Sequence, residues 1–254
     1  MHSTVLFMKF HSYFDYNYVF GRDQADLTIS NFWDYLLIPT LIYQTDYPRT
    51  PRIRKSFIFD RCLGIIVILA LIYANIDKFI LPNITGAGKL SYIDLVIAFS
   101  LPLCMNTILM FFLVFEYLLN LFAELTRFAD RHFYDDWWNS LDYAEFARKW
   151  NVPVHRFLQH HVYLACREKH GWSKSMAAFW TFLFSSLLHE LIISLTFKKA
   201  SAWFFCCQML QVPLIWCSSR VNLRSFPRVA NILFWLSIYL GMSLLFTIYI
   251  SCLT

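Results

Sequence analysis

A histidine and a glutamate stand next to each other in the middle of an apolar run. His189 and Glu190 are the only ionisable side chains within residues 175–197. Such groups are costly to place at membrane depth, and they usually face a cavity or the interior of a helix bundle. Burial away from cations keeps an imidazole neutral, as a general base must be. We interpret His189 as a candidate base, with Ser185 one turn earlier on the same face. The alternative is a histidine that hydrogen-bonds a backbone carbonyl for packing.

A second set of chemically capable residues lies upstream, in the polar segment Phe133–Asn139. Its seven residues are Phe, Tyr, Asp, Asp, Trp, Trp and Asn. Aromatic residues with polar atoms also form belts at membrane interfaces, and Asp135 with Asp136 also suits a solvated turn or a helix start. The belt interpretation does not require a further cluster downstream, which the sequence nevertheless contains at Trp150, Asn151, Pro153 and His155.

Asn151 is the residue of that downstream cluster with the clearest chemical use. Its amide could donate to a developing oxyanion or orient His189. The alternative is a turn before Pro153, a common place for asparagine. Arg148 and Lys174 could pair with phosphates, although both also suit ordinary cytosolic membrane anchors.

The elements that must position these residues are membrane helices. Hydrophobic residues make up 58% of the 254-residue chain and charged residues only 15%, whereas soluble domains carry about 25% charged residues. A polytopic, all-α transmembrane bundle is therefore predicted. Each predicted span approaches the ~20 residues needed to cross a bilayer; the five spans are 61–81, 94–122, 175–197, 201–219 and 229–252.

Basic residues predict the orientation of these spans. The segment before the first span, the 123–174 loop and the 220–228 loop are rich in Arg and Lys, whereas the 82–93 loop holds only Lys89. Positive loops stay cytosolic, so Phe133–Asn139 is expected to face the cytosol. Lys198 and Lys199 depart from this pattern. The net charge of +5 suits membrane topology and anionic headgroups better than nucleic acid.

Other classes of chemistry lack a motif. The chain has no Gly-rich phosphate loop, no Gly-x-Ser-x-Gly elbow and no metal-ligand spacing among its seven cysteines. We therefore expect no metal and no resident cofactor.

Taken together, these motifs resemble the membrane-bound O-acyltransferases, in particular the fungal sterol O-acyltransferase branch. The resemblance rests on Phe-Tyr-x-Asp-Trp-Trp-Asn at residues 133–139, Trp-Asn-x-Pro-Val-His at 150–155 and the later His-Glu pair. It covers essentially the whole chain, so residues 1–254 are expected to form the C-terminal part of one acyltransferase domain. Family members have about nine spans and a long polar N-terminal region, whereas about five spans are visible here.

The resemblance implies transfer of a long-chain fatty acyl group from acyl-CoA to a sterol 3-hydroxyl in the endoplasmic reticulum membrane. His189 would be the base and Asn151 its partner. No metal or cofactor is implied beyond acyl-CoA as co-substrate, and a homo-oligomer is expected. The positions that would bind acyl-CoA are Phe133, Tyr134, Asp136, Trp137, Trp138, Asn139, Arg148, Tyr163, Lys174 and Ser185.

Two other functions stay open on the sequence. A diacylglycerol acyltransferase of the same superfamily would use nearly the same chemistry, although that branch usually carries Glu at the position of Asp136. A non-catalytic membrane fragment would be expected to spread polar residues along several spans, whereas here they gather at His189 and in the loop before it. Acylation of a protein or peptide has no supporting feature.

Overall fold

A computed structural model describes residues 2–19, 28–220 and 225–253 of the chain. Within these ranges the secondary structure is helical, and the only strand-like pairing is one bridge between Arg49 and Phe128. The α-helices in chain order are α1 His2–Phe14, α2 Ile29–Leu37, α3 Lys55–Asn75, α4 Leu81–Thr85, α5 Tyr92–Phe111, α6 Leu119–Leu125, α7 Tyr143–Lys149, α8 Val152–Leu158, α9 Ala165–Glu168, α10 Lys174–Phe197, α11 Trp203–Met209, α12 Gln211–Arg220 and α13 Pro227–Leu253.

Among the described residues, four stretches of helix are long and apolar enough to cross a membrane, which confirms the predicted polytopic α-helical class. They are Lys55–Thr85, Tyr92–Leu125, Lys174–Phe197 and Pro227–Ser251. The first two are longer than predicted because π-helical segments, Ile76–Ile80 and Phe112–Leu118, connect successive α-helices without ending them.

The predicted span at 201–219 differs from the structure, which forms the two short helices α11 and α12 there. Pro213 explains the division, because its ring has no N–H and clashes with the carbonyl four residues earlier. That residue is Met209, where α11 ends. Arg224, which we placed in a cytosolic loop, lies outside the described residues.

The chain divides into two compact units. The first comprises Met1–Ile53, Phe122–Asp135 and Ala147–Trp216. One of its apolar clusters joins Met8, Leu41 and Phe157 to Leu188, so the turn of α10 that carries His189 packs against this cluster through Leu188.

Buried polar contacts hold other parts of the first unit. The Lys9 ammonium donates to the carbonyls of Tyr35, Leu36 and Ile38, where α2 ends. The fully buried Glu124 pairs with Arg131 at 2.6 Å.

The second unit comprises Arg54–Leu121, Asp136–Phe146 and Cys217–Thr254. Here α5 and α13 share a core in which Phe99 and Ile250 are buried. The α3 helix passes so close to the π-helical segment after α5 that a Cβ at Gly64 would lie 1.8 Å from the Tyr117 ring. Glycine is therefore required at this crossing.

Candidate active site

His189 lies on α10 with one ring nitrogen already bonded. Nδ1 is 2.8 Å from the carbonyl oxygen of Ser185. A carbonyl oxygen can only accept, so Nδ1 carries the hydrogen and Nε2 keeps a lone pair. The carbonyl bond that we considered as a packing alternative therefore also fixes the tautomer that a base needs. We expected burial, but the His189 side chain is exposed in this chain. The expectation of burial was wrong because, in this turn of α10, Leu188 and not His189 packs against the apolar cluster of Met8, Leu41 and Phe157.

Asn151 begins α8. Its side-chain oxygen accepts from the Val154 amide at 3.2 Å, with Pro153 in the first turn. Asn151 is therefore an N-cap, which realises the turn that we kept as an alternative. The bond uses the side-chain oxygen and leaves the two N–H donors of the amide for other work.

The first half of the aromatic motif is tied to the start of α8. The Val152 amide donates to the Phe133 carbonyl at 3.1 Å, and the Asp135 amide donates to the Lys149 carbonyl at 2.9 Å. Phe133 is buried and Tyr134 half-buried. These bonds join residues that are 14 and 19 positions apart in the chain, and so bring the two motifs together.

The second half of the motif belongs to the second unit. Trp137 is buried against Phe111 and Trp235, with ring centroids 5.2 and 5.6 Å apart. The Trp138 carbonyl accepts from Asn231 at 2.8 Å and from the Trp235 indole at 3.0 Å. These contacts anchor a short 3₁₀ turn over Trp137–Asn139.

Within that turn, the exposed Asn139 amide donates to Asp136 at 3.3 Å. The residues predicted to bind acyl-CoA therefore fall into both units: Asp136, Trp137, Trp138 and Asn139 in the second, and Phe133, Tyr134, Arg148, Tyr163, Lys174 and Ser185 in the first.

The predicted phosphate-pairing cations are solvent-accessible. Arg148 is exposed in the last turn of α7, and Lys174 is exposed as the first residue of α10. Tyr163 is half-buried in a π-helical segment, Gln159–Leu164. Burial lowers the pKa of the nearby His155, with further lowering by Arg148 and Arg156, so this imidazole is neutral at physiological pH.

Sequence reasoning missed the partners of Glu190. Its carboxylate accepts from the backbone amides of Ala202 and Phe205 at 3.0 and 2.9 Å, and from the Ser194 hydroxyl at 3.0 Å. Ala202 occupies the N-cap of α11 but has no side chain that could cap it. The lack of a capping side chain at Ala202 was the feature of the sequence that could have indicated these contacts.

A second cluster was also missed. His161 lies 2.9 Å from the Ser12 hydroxyl through Nε2 and 3.1 Å from the Asp15 carboxylate through Nδ1. The atom pairing is that of a nucleophilic triad. However, Ser12 is buried in α1 and its oxygen already accepts from the Tyr43 amide at 2.9 Å. We therefore interpret the cluster as a polar link between α1 and the π-helical segment after α8.

The sequence model of the membrane-bound O-acyltransferase family matches residues 2–251. The chain belongs to this family. Within the described residues, no three His, Cys, Asp or Glu side chains come together as a metal site.

Curated members of the family are similar over most of this chain. Sterol O-acyltransferase 2 of Saccharomyces cerevisiae is 35% identical over 89% of this chain and 37% of its own length. The probable sterol O-acyltransferase 2 of Schizosaccharomyces pombe is 37% identical over 89% of this chain and 50% of its own. Diacylglycerol O-acyltransferase 1 of Dictyostelium discoideum is 37% identical over 87% of this chain and 36% of its own length. The chain thus spans between about a third and a half of these relatives.

Proposed function

We propose that this protein is an acyl-CoA-dependent O-acyltransferase that forms steryl esters, with His189 as general base. The observation that carries the proposal is the Nδ1 hydrogen bond to the Ser185 carbonyl, because it leaves Nε2 as the proton acceptor. Family membership and the similarity to fungal sterol O-acyltransferases support the reaction class.

The reaction needs one proton transfer in each direction. His189 Nε2 takes the proton of the sterol 3-hydroxyl as the oxygen attacks the thioester carbonyl carbon. The resulting oxyanion accepts a hydrogen bond from the Asn151 amide. When the carbonyl reforms, the C–S bond breaks, and the CoA thiolate takes the proton back from Nε2. No covalent acyl-enzyme forms.

The donor is expected to enter through charged and aromatic side chains on the cytosolic side. Arg148 and Lys174 would pair with CoA phosphates, since both cations are exposed. The segment Phe133–Asn139 would line the entrance, while Tyr163 and Ser185 would contact the acyl-CoA beyond it. The proposal includes an endoplasmic reticulum location and a homo-oligomeric assembly, as the family resemblance implies.

Diacylglycerol is the competing acceptor. The Dictyostelium diacylglycerol O-acyltransferase 1 matches this chain at 37% identity, as high as the Schizosaccharomyces sterol enzyme. Asp136 favours sterol, because the diacylglycerol branch usually carries Glu there.

The test is esterification of radiolabelled oleoyl-CoA by microsomes that express this chain, offered ergosterol and diacylglycerol in parallel. A second preparation co-expresses the part of the Saccharomyces relative that this chain does not match. We expect steryl ester in at least one preparation and its loss in His189→Ala. His170→Ala replaces an exposed histidine of the preceding loop and is expected to keep activity.

The outcomes separate the possibilities. Triacylglycerol without steryl ester would move the acceptor to diacylglycerol. Full activity in His189→Ala would remove the proposed base. Absence of both products in both preparations would contradict the enzymatic function.

A further inference from the structure

The carboxylate of Glu190 supplies the capping oxygen that the side chain of Ala202 lacks. An α-helix begins with unbonded amides, and its N-cap residue usually supplies an oxygen for one of them. Ala202 has no such oxygen, but Glu190 accepts from its amide and from that of Phe205, the third residue of α11. The negative charge also suits the positive end of the helix dipole. Glu190 therefore fixes where α11 starts, from a position on α10.

The residue held between those two amides touches the candidate base. The Phe204 ring lies against the His189 imidazole, with centroids 5.8 Å apart and an interplanar angle of 15°. The imidazole is thus held at one edge by the Ser185 carbonyl and on one face by Phe204. Because Glu190 bonds the amides of Ala202 and Phe205 on either side, it determines where the Phe204 ring can lie.

The backbone of the connection between α10 and α11 also depends on the Glu190 carboxylate. Lys198 and Ala202 both have left-handed backbones, with φ of 52° and 58°. Such conformations are unfavourable for residues with a Cβ, by about 1 kcal/mol or more. Two hydrogen bonds to Glu190, from the amides of Ala202 and Phe205, hold the end of this turn in place.

We propose that Glu190 is a positioning residue, which caps α11 and thereby sets Phe204 against His189 so that Nε2 is held in one direction. This role rests on the proposed function for its effect on catalysis, but the ring contact itself is independent of that function.

The first test does not depend on activity. Diethyl pyrocarbonate modifies accessible imidazole nitrogens, and mass spectrometry of the His189 peptide gives its rate in the detergent-solubilised full chain. Loss of one aromatic stack is expected to speed modification roughly two- to tenfold in Glu190→Gln and in Phe204→Ala. The double variant is expected to match Phe204→Ala, since both changes remove the same contact.

Matched controls separate this role from general loss of a carboxylate. Glu145 also accepts a backbone amide, that of Leu141 at 3.0 Å, and Glu145→Gln is expected to leave the His189 rate unchanged. Ser194→Ala removes one partner of Glu190 but keeps both bonds to α11, and is expected to have little effect. Unchanged modification in Glu190→Gln, or effects of the two variants that multiply, would overturn the proposal.

The second test concerns catalysis. In whichever microsomal preparation is active, Glu190→Gln is expected to lower kcat by roughly ten- to a hundredfold with little change in KM for acyl-CoA, since misplacement of a reacting group affects the chemical step. If His189→Ala is inactive while Glu190→Gln retains full kcat, the positioning role fails and the proposed function stands. If His189→Ala is fully active, the proposed function fails, and the modification rates alone decide whether Glu190 holds the ring.

Discussion

Asn151 has two polar atoms with separable roles. Its side-chain oxygen caps α8 through the Val154 amide, whereas the proposed oxyanion contact needs its N–H group. Aspartate caps a helix about as well as asparagine but cannot donate when ionised. We expect Asn151→Asp to keep wild-type stability and Asn151→Ala to lose about 1 kcal/mol. Both are expected to lose activity roughly a hundredfold or more.

Unfolding in detergent and the microsomal esterification assay measure the two effects separately. Asn151→Ser supplies a neutral cap without the amide, and it is expected to behave like the aspartate variant. An active Asn151→Asp enzyme would mean that Asn151 serves only as a helix cap.

His161 makes stability depend on pH. Burial is the main reason that its pKa falls to about 4, and the neighbouring His160 and His11 lower it further. The ordinary value is 6.5, so between pH 6.5 and 4 the unfolded chain binds a proton that the folded chain does not. Stability therefore falls as pH falls through this window, by no more than about 3 kcal/mol.

Unfolding midpoints of the detergent-solubilised chain between pH 7.5 and 4.5 check this prediction. His161→Phe is expected to be less stable at pH 7.5, because it removes the imidazole contacts of Ser12 and Asp15, but to show a shallower acid slope. His170→Gln, at an exposed position, is expected to keep the wild-type slope. An unchanged slope in His161→Phe would assign the acid sensitivity to other groups.

Between α3 and the π-helical segment Phe112–Leu118, Gly64 lies directly against the Tyr117 ring. The Tyr117 ring that a Cβ would meet also faces the Arg61 guanidinium, 5.1 Å from its centroid. The ring therefore has little freedom to move aside. Gly64→Ala is expected to destabilise the protein by about 1–3 kcal/mol.

Unfolding of the detergent-solubilised variants measures this cost. Gly241→Ala is the control, because a Cβ there meets nothing within 4 Å in α13, and we expect no loss of stability. The double variant Gly64→Ala/Tyr117→Ala is expected to lose less than the two single changes together, since the clash is absent. If the losses of stability from the two single changes simply add, the contact between position 64 and the Tyr117 ring does not limit the packing of these two helical segments.

Hydropathy predicted where the apolar helices occur, but it did not predict which proline would interrupt a helix. Pro102 and Pro213 both stand within apolar runs, yet α5 continues through Pro102 whereas α11 ends before Pro213. Side chains distant in sequence bond the α5 backbone around Pro102: Asn75 donates to its carbonyl, and Ser243 donates to that of Val96. Both bonds come from neighbouring helices, whose positions a single sequence does not specify.

Over the whole molecule, residue types indicated the candidate site residues more readily than the contacts that hold them. His189, Asn151 and the aromatic motif could be selected because their composition is unusual for an apolar chain. The capping of α11 by Glu190 and the pairing of residues 133–135 with 149–152 could not, because both depend on where distant backbone amides lie.

The topology of the C-terminal part depends on whether α11 and α12 together cross the membrane. If α11 and α12 act as one crossing, residues 203–220 reach about 27 Å at 1.5 Å per residue, close to the hydrocarbon thickness of the endoplasmic reticulum. Arg220, Arg224 and Arg228 would then be cytosolic, as positive loops prefer. We therefore expect five crossings and a non-cytosolic C-terminus.

A glycosylation tag after Thr254 checks this in microsomes, in an Asn83→Gln background that removes the natural sequon at Asn83-Ile84-Thr85. We expect the tag to be glycosylated and protected from added protease. The same tag inserted after Gly171, in the basic loop before α10, should remain unmodified because that loop is cytosolic in this topology. An unmodified, protease-sensitive C-terminal tag would mean that α11 and α12 enter and leave the membrane on one side. In that case the three arginines would lie on the non-cytosolic side, against the charge rule that orients the rest of the chain.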